Sequence, residues 1–239
     1  MPSTLERPIY MPPPSAEQPL AGLTLLVIED SRFASEAVRL LCLKSGARIR
    51  RADSLGSAQR HLSVYLPSVV IVDLGLPDGS GIDLIRRLAH ATTRIPVILA
   101  TSGDDRLFVD AMDAGADGVL TKPIESLAVF QKSVLEKMPA DQRPMGLRVV
   151  PSEVVAPDPI AFHDDLAHIA EVLNGHEDDS ILDYAAKFLA GVARSAHDDA
   201  LEKAAERLAR SRARGQSFGT DLARVAGLLQ ERLEGRAVI

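Results

Sequence analysis

From residue 21 to residue 138 the chain alternates between two spacings of apolar residues. Short apolar runs suited to buried strands fall at "LTLLVI" (23–28), "SVVIVD" (68–73), "IPVILAT" (95–101) and "DGVLTK" (117–122), and the more polar "ARIRRA" (47–52) makes a fifth. Between them the spacing is helical. In "SRFASEAVRLLCLKSG", Phe33, Ala37, Leu40 and Leu41 share one face, with Ser31 placed as N-cap and Gly46 as the stop. Four more helices are predicted in "SLGSAQRHLSVYL", "SGIDLIRRLAHA", "DDRLFVDAMDAGA" and "IESLAVFQKSVLEKM". Five strands, each followed by a helix, predict a doubly wound α/β unit: a five-stranded parallel sheet covered on both faces.

The pattern changes after residue 159. Phe162, Leu166, Ile169, Ala170 and Leu173 share one helical face, and Ile181, Ala185, Phe188, Leu189 and Val192 another. Leu201, Ala204, Ala205 and Leu208 follow, then Leu222, Val225, Leu229 and Leu233. "NGHEDDS", "AHDD" and "RGQSFGTD" break these helices with capping residues. Prolines mark the divisions: of 15, six lie in residues 1–20, five in 139–159 and none beyond 159. The expected organisation is a Pro-rich flexible tail (1–20), an α/β domain (21–138), a linker (139–159) in which "LRVV" could run extended, and a small all-α helical domain (160–239). Four short helices make a marginal core, so the helical domain is expected to complete its bundle in a homodimer.

Composition narrows the class. With 46% hydrophobic residues the chain can build a core, which excludes global disorder. A formal net charge of −6 argues against a generic nucleic-acid binder. The single cysteine, Cys42, excludes an intramolecular disulfide and fits a reducing compartment. No apolar run approaches the ~18 residues that span a bilayer, and the first 20 residues lack an apolar signal core. The expectation is a cytoplasmic protein without membrane association.

The chemistry gathers at the strand ends. In an open parallel sheet, sites form beyond the carboxyl ends of the strands, where strand order reverses. Those ends carry Glu29 and Asp30, then Asp73, then Thr101 and Ser102, then Thr121 and Lys122. Glu29, Asp30 and Asp73 bring three negative charges and Lys122 returns one positive, leaving a balance of two that suits one divalent cation. Carboxylate oxygens favour Mg2+ over zinc, which prefers His and Cys. A carboxylate is also a nucleophile that can form an aspartyl phosphate, with the metal, Lys122 and the Thr101 hydroxyl stabilising the phosphoryl oxygens. Gly75 lets the backbone approach closely, within the tight turn "LPDGSG".

These residues carry a resemblance. "VIED", "VDLGLPDGSG" around Asp73, "ILATS" with Thr101, and "AGADGVLTKP" ending in Lys122–Pro123 stand in the order and spacing of the receiver domains of two-component response regulators. The resemblance covers residues 21–138 and implies a sheet of order 2-1-3-4-5 with phosphorylation on Asp73. It implies direct Mg2+ ligation by Asp30, Asp73 and the Gly75 carbonyl, with Glu29 acting mostly through water, and a cis Lys122–Pro123 peptide. One position departs: the family often carries Tyr or Phe three residues before the lysine, and here it is Val119. That puts a simple coupling of Thr101 to an inward-turning aromatic ring in doubt, and Phe108 reads as a packing residue.

The helical domain leaves three readings open. The leading one is a phosphorylation-dependent response regulator, accepting its phosphoryl group from a histidine kinase or phosphotransferase and acting through a protein-binding C-terminus, without catalytic output. The second is a transcription regulator that binds DNA through the basic stripe Lys203, Arg207, Arg210 and Arg214. Against it, residues 161–239 hold 14 acids against 10 Lys plus Arg, so a solvated face explains the stripe as well. The third is a phosphorelay transferase using His163 or His168, since "AFHDDLAHIAEVLNG" distantly resembles a phosphotransfer helix. "AAERLARSRARG" is similar too, but Glu206 stands where the histidine would be.

Overall fold

The computed structural model describes residues 13–140, 143, 151–175 and 179–235. The tail up to residue 12, "LRVV" and residues 176–178 of the first inter-helix break lie outside them.

Five parallel strands form one sheet: β1 (Thr24–Ile28), β2 (Arg48–Ala52), β3 (Val69–Asp73), β6 (Val97–Ser102) and β7 (Gly118–Thr121), in the order β2-β1-β3-β6-β7. The element order is α1 (Arg32–Lys44) after β1, α2 (Leu55–Leu62) after β2, α3 (Gly81–Ala89) after β3, α4 (Leu107–Asp113) after β6 and α5 (Leu127–Leu135) after β7. A two-stranded ribbon of β4 (Gly75–Leu76) and β5 (Gly79–Ser80) intervenes between β3 and α3.

Successive strand residues feed opposite cores, as the pleat demands. Leu25, Val27, Val69, Ile71, Val97 and Leu99 pack with α1 and α5. Leu26, Ile28, Val70, Val72, Ile98 and Ala100 pack with α2, α3 and α4. The expected caps are in place: the Ser31 side chain accepts from Ala34 N, and Gly46 takes φ +79° at the end of α1. Edge strand β2 exposes Arg48, Arg50 and Arg51. Phe108 packs against the second core, the role its sequence position suggested. Leu20, inside the Pro-rich stretch, is fully buried in the first core, so ordered packing begins before residue 21. In the proline-rich connection, Val154 bridges Ser126 and Val155 is buried.

Four further helices follow: α6 (Pro159–Gly175), α7 (Asp179–Ser195), α8 (Asp199–Ala213) and α9 (Gly219–Glu234). Their stripes meet one another in a single core of Leu166, Ile169, Leu189, Leu201, Leu208, Val225 and Leu229, with alanines on α7 and α8. Asp198 locks the ring by capping α8 at Leu201 N (3.0 Å) while taking two bonds from Arg232 of α9 (2.6 and 3.1 Å). Most of each stripe thus packs within one chain. Among the described residues no helix is long and apolar enough to cross a membrane.

Candidate functional site

Strands β1 and β3 are neighbours, so their carboxyl ends bring the acids of two distant segments together. Glu29, Asp30 and Asp73 each offer a carboxylate oxygen, and these oxygens lie within 4.8 Å of one another. Lys122, delivered by the end of β7, ties two of them: its Nζ lies 2.7 Å from Glu29 Oε2 and 3.1 Å from Asp73 Oδ1. Glu29 also accepts from Ser31 N at 3.3 Å.

The crowding sets the electrostatics. Burial lifts Glu29 well above the usual carboxylate range, although Lys122 pulls the other way. Burial, and then the charge of Asp73, pushes Asp30 up to about 6. Lys122 is held above its ordinary value: burial opposes its charge, but Asp73 and Glu29 outweigh that. Three clustered carboxylates against one ammonium is an anionic pocket, and its donors are all hard oxygens.

Thr101 stands opposite Asp73 in the β3–β6 register. It is 1% exposed, and its Oγ1 has no hydrogen-bond partner. A buried hydroxyl without a partner is costly unless something binds there, so this orphan marks a place for a ligand oxygen. Gly75 follows within the ribbon, where an added Cβ would stand 3.7 Å from Asp73 Oδ2. Gly81 opens α3 so close beneath β3 that a Cβ would be driven into the Asp73 carbonyl oxygen and sit 2.9 Å from Leu74 Cα. Asp78, at the tip of the turn, accepts from Leu55 N (2.8 Å) and Gly56 N (2.9 Å) and so anchors the loop to α2. The Lys122–Pro123 peptide is cis.

The comparisons fall on this half of the molecule. The model of the response regulator receiver domain matches residues 25–133. The chain carries a response regulator receiver domain. The virulence transcriptional regulatory protein PhoP of Salmonella typhimurium is 34% identical over 120 residues, covering 48% of this chain and 53% of that protein. The transcriptional regulatory protein PhoP of Escherichia coli O6:H1 is equally similar, so the chain spans about half the length of the curated relatives it matches. Among solved structures, a response regulator of Chloroflexus aurantiacus is 30% identical over 48% of this chain and 98% of its own, with a TM-score of 0.44. The receiver domain of a sensor histidine kinase from Pseudomonas aeruginosa, solved with a magnesium ion in its active-site cleft, is 21% identical over 48% of this chain and 97% of its own, also at a TM-score of 0.44.

The receiver pocket has further neighbours that sequence reasoning missed. The Tyr184 hydroxyl, on α7, donates to Asp30 Oδ2 at 2.8 Å. Burial, and then the Asp30 charge, holds that phenol above its ordinary value, which keeps it a donor. Asp165, on α6, is buried and accepts from Ser31 Oγ (2.7 Å), Arg32 N (2.9 Å) and Phe33 N (3.0 Å) at the start of α1. Arg194, on α7, donates to the Gly103 carbonyl (2.8 Å) and is steadied by Glu202 and Glu206. The sequence shows an acid at 165 beside the apolar face of α6 and an aromatic with a polar tip at 184, but nothing in it names their partners. The two histidines singled out for phosphotransfer also lie on α6. His168 is exposed, edge-on to Phe188 with ring centroids 6.4 Å apart, and His163 is half-buried. Neither is among the groups gathered around Asp73.

Proposed function

We propose that the chain is a phosphorylation-dependent response regulator of a two-component system, with Asp73 as phosphoacceptor. The observation that carries this reading is the pairing of the Asp73 carboxylate with Lys122 beside an orphaned Thr101 hydroxyl. The donor is a phosphohistidine on a histidine kinase or phosphotransferase. An Asp73 carboxylate oxygen attacks phosphorus, the P–N bond breaks, and the electron pair leaves with the imidazole, which takes up a proton. Lys122 and the Thr101 hydroxyl would steady the phosphoryl oxygens. Asp30, Asp73 and the Gly75 carbonyl would hold Mg2+, with Glu29 in support. Bound there, the ion would neutralise the charge of the acids and of the phosphoryl oxygens.

For the output, protein binding is favoured over DNA. Two of the four residues of the basic stripe on α8 pair with acids of the same helix: Lys203 with Asp199 (3.3 Å), and Arg210 with Glu206 (3.1 Å). Arg212 beside it pairs with Asp183 (2.6 Å). Exposed apolar side chains flank edge strand β7 instead, with Val109 and Met112 on α4 and Val129 on α5. They suit a downstream protein partner or a second copy meeting through the receiver. The proposed setting is the cytoplasm, where the kinase's phosphohistidine is available.

Acetyl phosphate with Mg2+, followed by intact-mass measurement, tests the reading. Wild type gains one phosphoryl group, and Asp73→Asn gains none. Undiminished labelling of the variant would overturn the assignment.

A further inference from the structure

The helical bundle does not merely follow the receiver; it touches the loops at the carboxyl ends of four strands. At β1, Tyr184 binds Asp30 and Asp165 caps the start of α1. Beyond β3, α7 packs against β4, the segment that carries Gly75. Beyond β6, Arg194 binds the Gly103 carbonyl, lying so close that a Cβ on Gly103 would strike its guanidinium. Beyond β7, His197 meets Glu125 at 2.8 Å. Phe162 of α6 adds an edge-on contact to Phe33 of α1, with ring centroids 5.6 Å apart, and Asp164 pairs with Arg32 at 2.9 Å. The contacts therefore lie along the carboxyl edge of the sheet, the edge that carries Asp73.

We infer that α6 and α7 form an intramolecular cover of the phosphoacceptor pocket, and that Tyr184 is its gating residue, its hold on Asp30 opposing the loading of the acidic site with a divalent cation. This rests on the phosphoacceptor reading above. The physical argument has two parts. First, the Tyr184 hydroxyl satisfies an oxygen of Asp30 and draws on its charge, so the carboxylate is a poorer partner for a cation while the bond lasts. Second, the cover has its own anchor away from the acids. Asp165 is a buried carboxylate that accepts from three donors at the α1 terminus, where a helix end favours negative charge, although burial still holds it above its ordinary value. Docking and loading then compete through one equilibrium, and a ligand that favours the uncovered state shifts it. Tyr184 touches a metal-site side chain but no reacting atom, so it is a positioning residue.

The test measures Mg2+ affinity by calorimetry on the full chain, for wild type, Tyr184→Phe and Asp165→Ala. Losing one hydrogen bond to a carboxylate predicts Mg2+ binding about ten-fold tighter in Tyr184→Phe. Asp165→Ala, which loosens the anchor without altering Asp30, shifts the affinity in the same direction. In wild type, Mg2+ raises amide exchange in α6 and α7 while leaving α8 protected. Wild-type binding with unchanged or weaker affinity in both variants overturns the cover, and so does unchanged exchange in α6 and α7; weaker binding in Tyr184→Phe would make the phenol a support for Asp30. If none of the three proteins binds Mg2+, the phosphoacceptor reading fails and the cover with it.

Discussion

Replacing Asp30 by asparagine is expected to stabilise the metal-free protein at neutral pH, although it removes a site residue. In the folded chain Asp30 titrates at about 6 rather than 3.8, because burial and then Asp73 penalise its ionised form. A carboxyl group raised by folding contributes stability that is complete below its unfolded value, about pH 4, and is lost as pH rises through about 6. Two pH units at 1.36 kcal/mol each give about 3 kcal/mol, and the partial exposure of Asp30 reduces this to about 2 kcal/mol. Asparagine removes the charge but keeps a carbonyl oxygen to accept from Tyr184. Urea denaturation in EDTA measures the difference. The variant should match wild type near pH 4 and exceed it by about 2 kcal/mol at about pH 7.5. Added Mg2+ should narrow or reverse the gap, because only wild type keeps the full ligand set and gains stability by binding. A variant no more stable than wild type at neutral pH in EDTA would refute the electrostatic account of the pocket.

Two further substitutions test the geometry around Asp73. Gly81→Ala should cost about 1–3 kcal/mol in urea denaturation, since its methyl must displace the β3–β4 backbone, and should slow acetyl phosphate labelling of Asp73; wild-type values for both would mean that the start of α3 yields freely. Thr101→Val removes an unpartnered buried hydroxyl, so the unphosphorylated protein should be unchanged or gain up to about 2 kcal/mol, and a clear loss of stability would show that the hydroxyl is already satisfied.

The receiver was legible because its chemistry and its periodicity are both local. β1, β3 and β6 are buried on both faces, so their sequences are continuous apolar runs, and the polar residue that ends each run is a site residue. Boundaries slipped where side chains redirect the backbone. Helical spacing begins at Asp104, yet α4 starts at Leu107, because the Asp104 side chain accepts from Arg106 N and holds a turn. The β4–β5 ribbon was invisible, since two-residue strands have no period and "LPDGSG" reads only as turn. The bundle's helices were legible, but not its closure. Ala185, Ala186, Ala193, Ala204 and Ala205 let α7 and α8 approach closely, so a core forms with fewer large side chains than the sequence suggested was needed. Its docking was illegible for a different reason. Asp165 and Tyr184 find partners far away in the chain, and no spacing rule links an acid on one amphipathic helix to the start of another.

The three arginines on β2 bear on how the chain comes through its own synthesis. The unit β1–α1–β2 is made first, and until β3 arrives β1 has one side unpaired. That open side is temporary and apolar, the kind of edge at which nascent chains join one another. The other border of the unit is permanent, and there Arg48 and Arg50 project from one face of β2 while Arg51, on the other face, pairs with Glu36 at 3.6 Å. Two copies meeting along β2 would bring the Arg48 and Arg50 guanidinium groups of each toward those of the other, so that border repels its own kind from the moment it is made. Lateral growth along this border is thereby disfavoured from the first stage of synthesis onward.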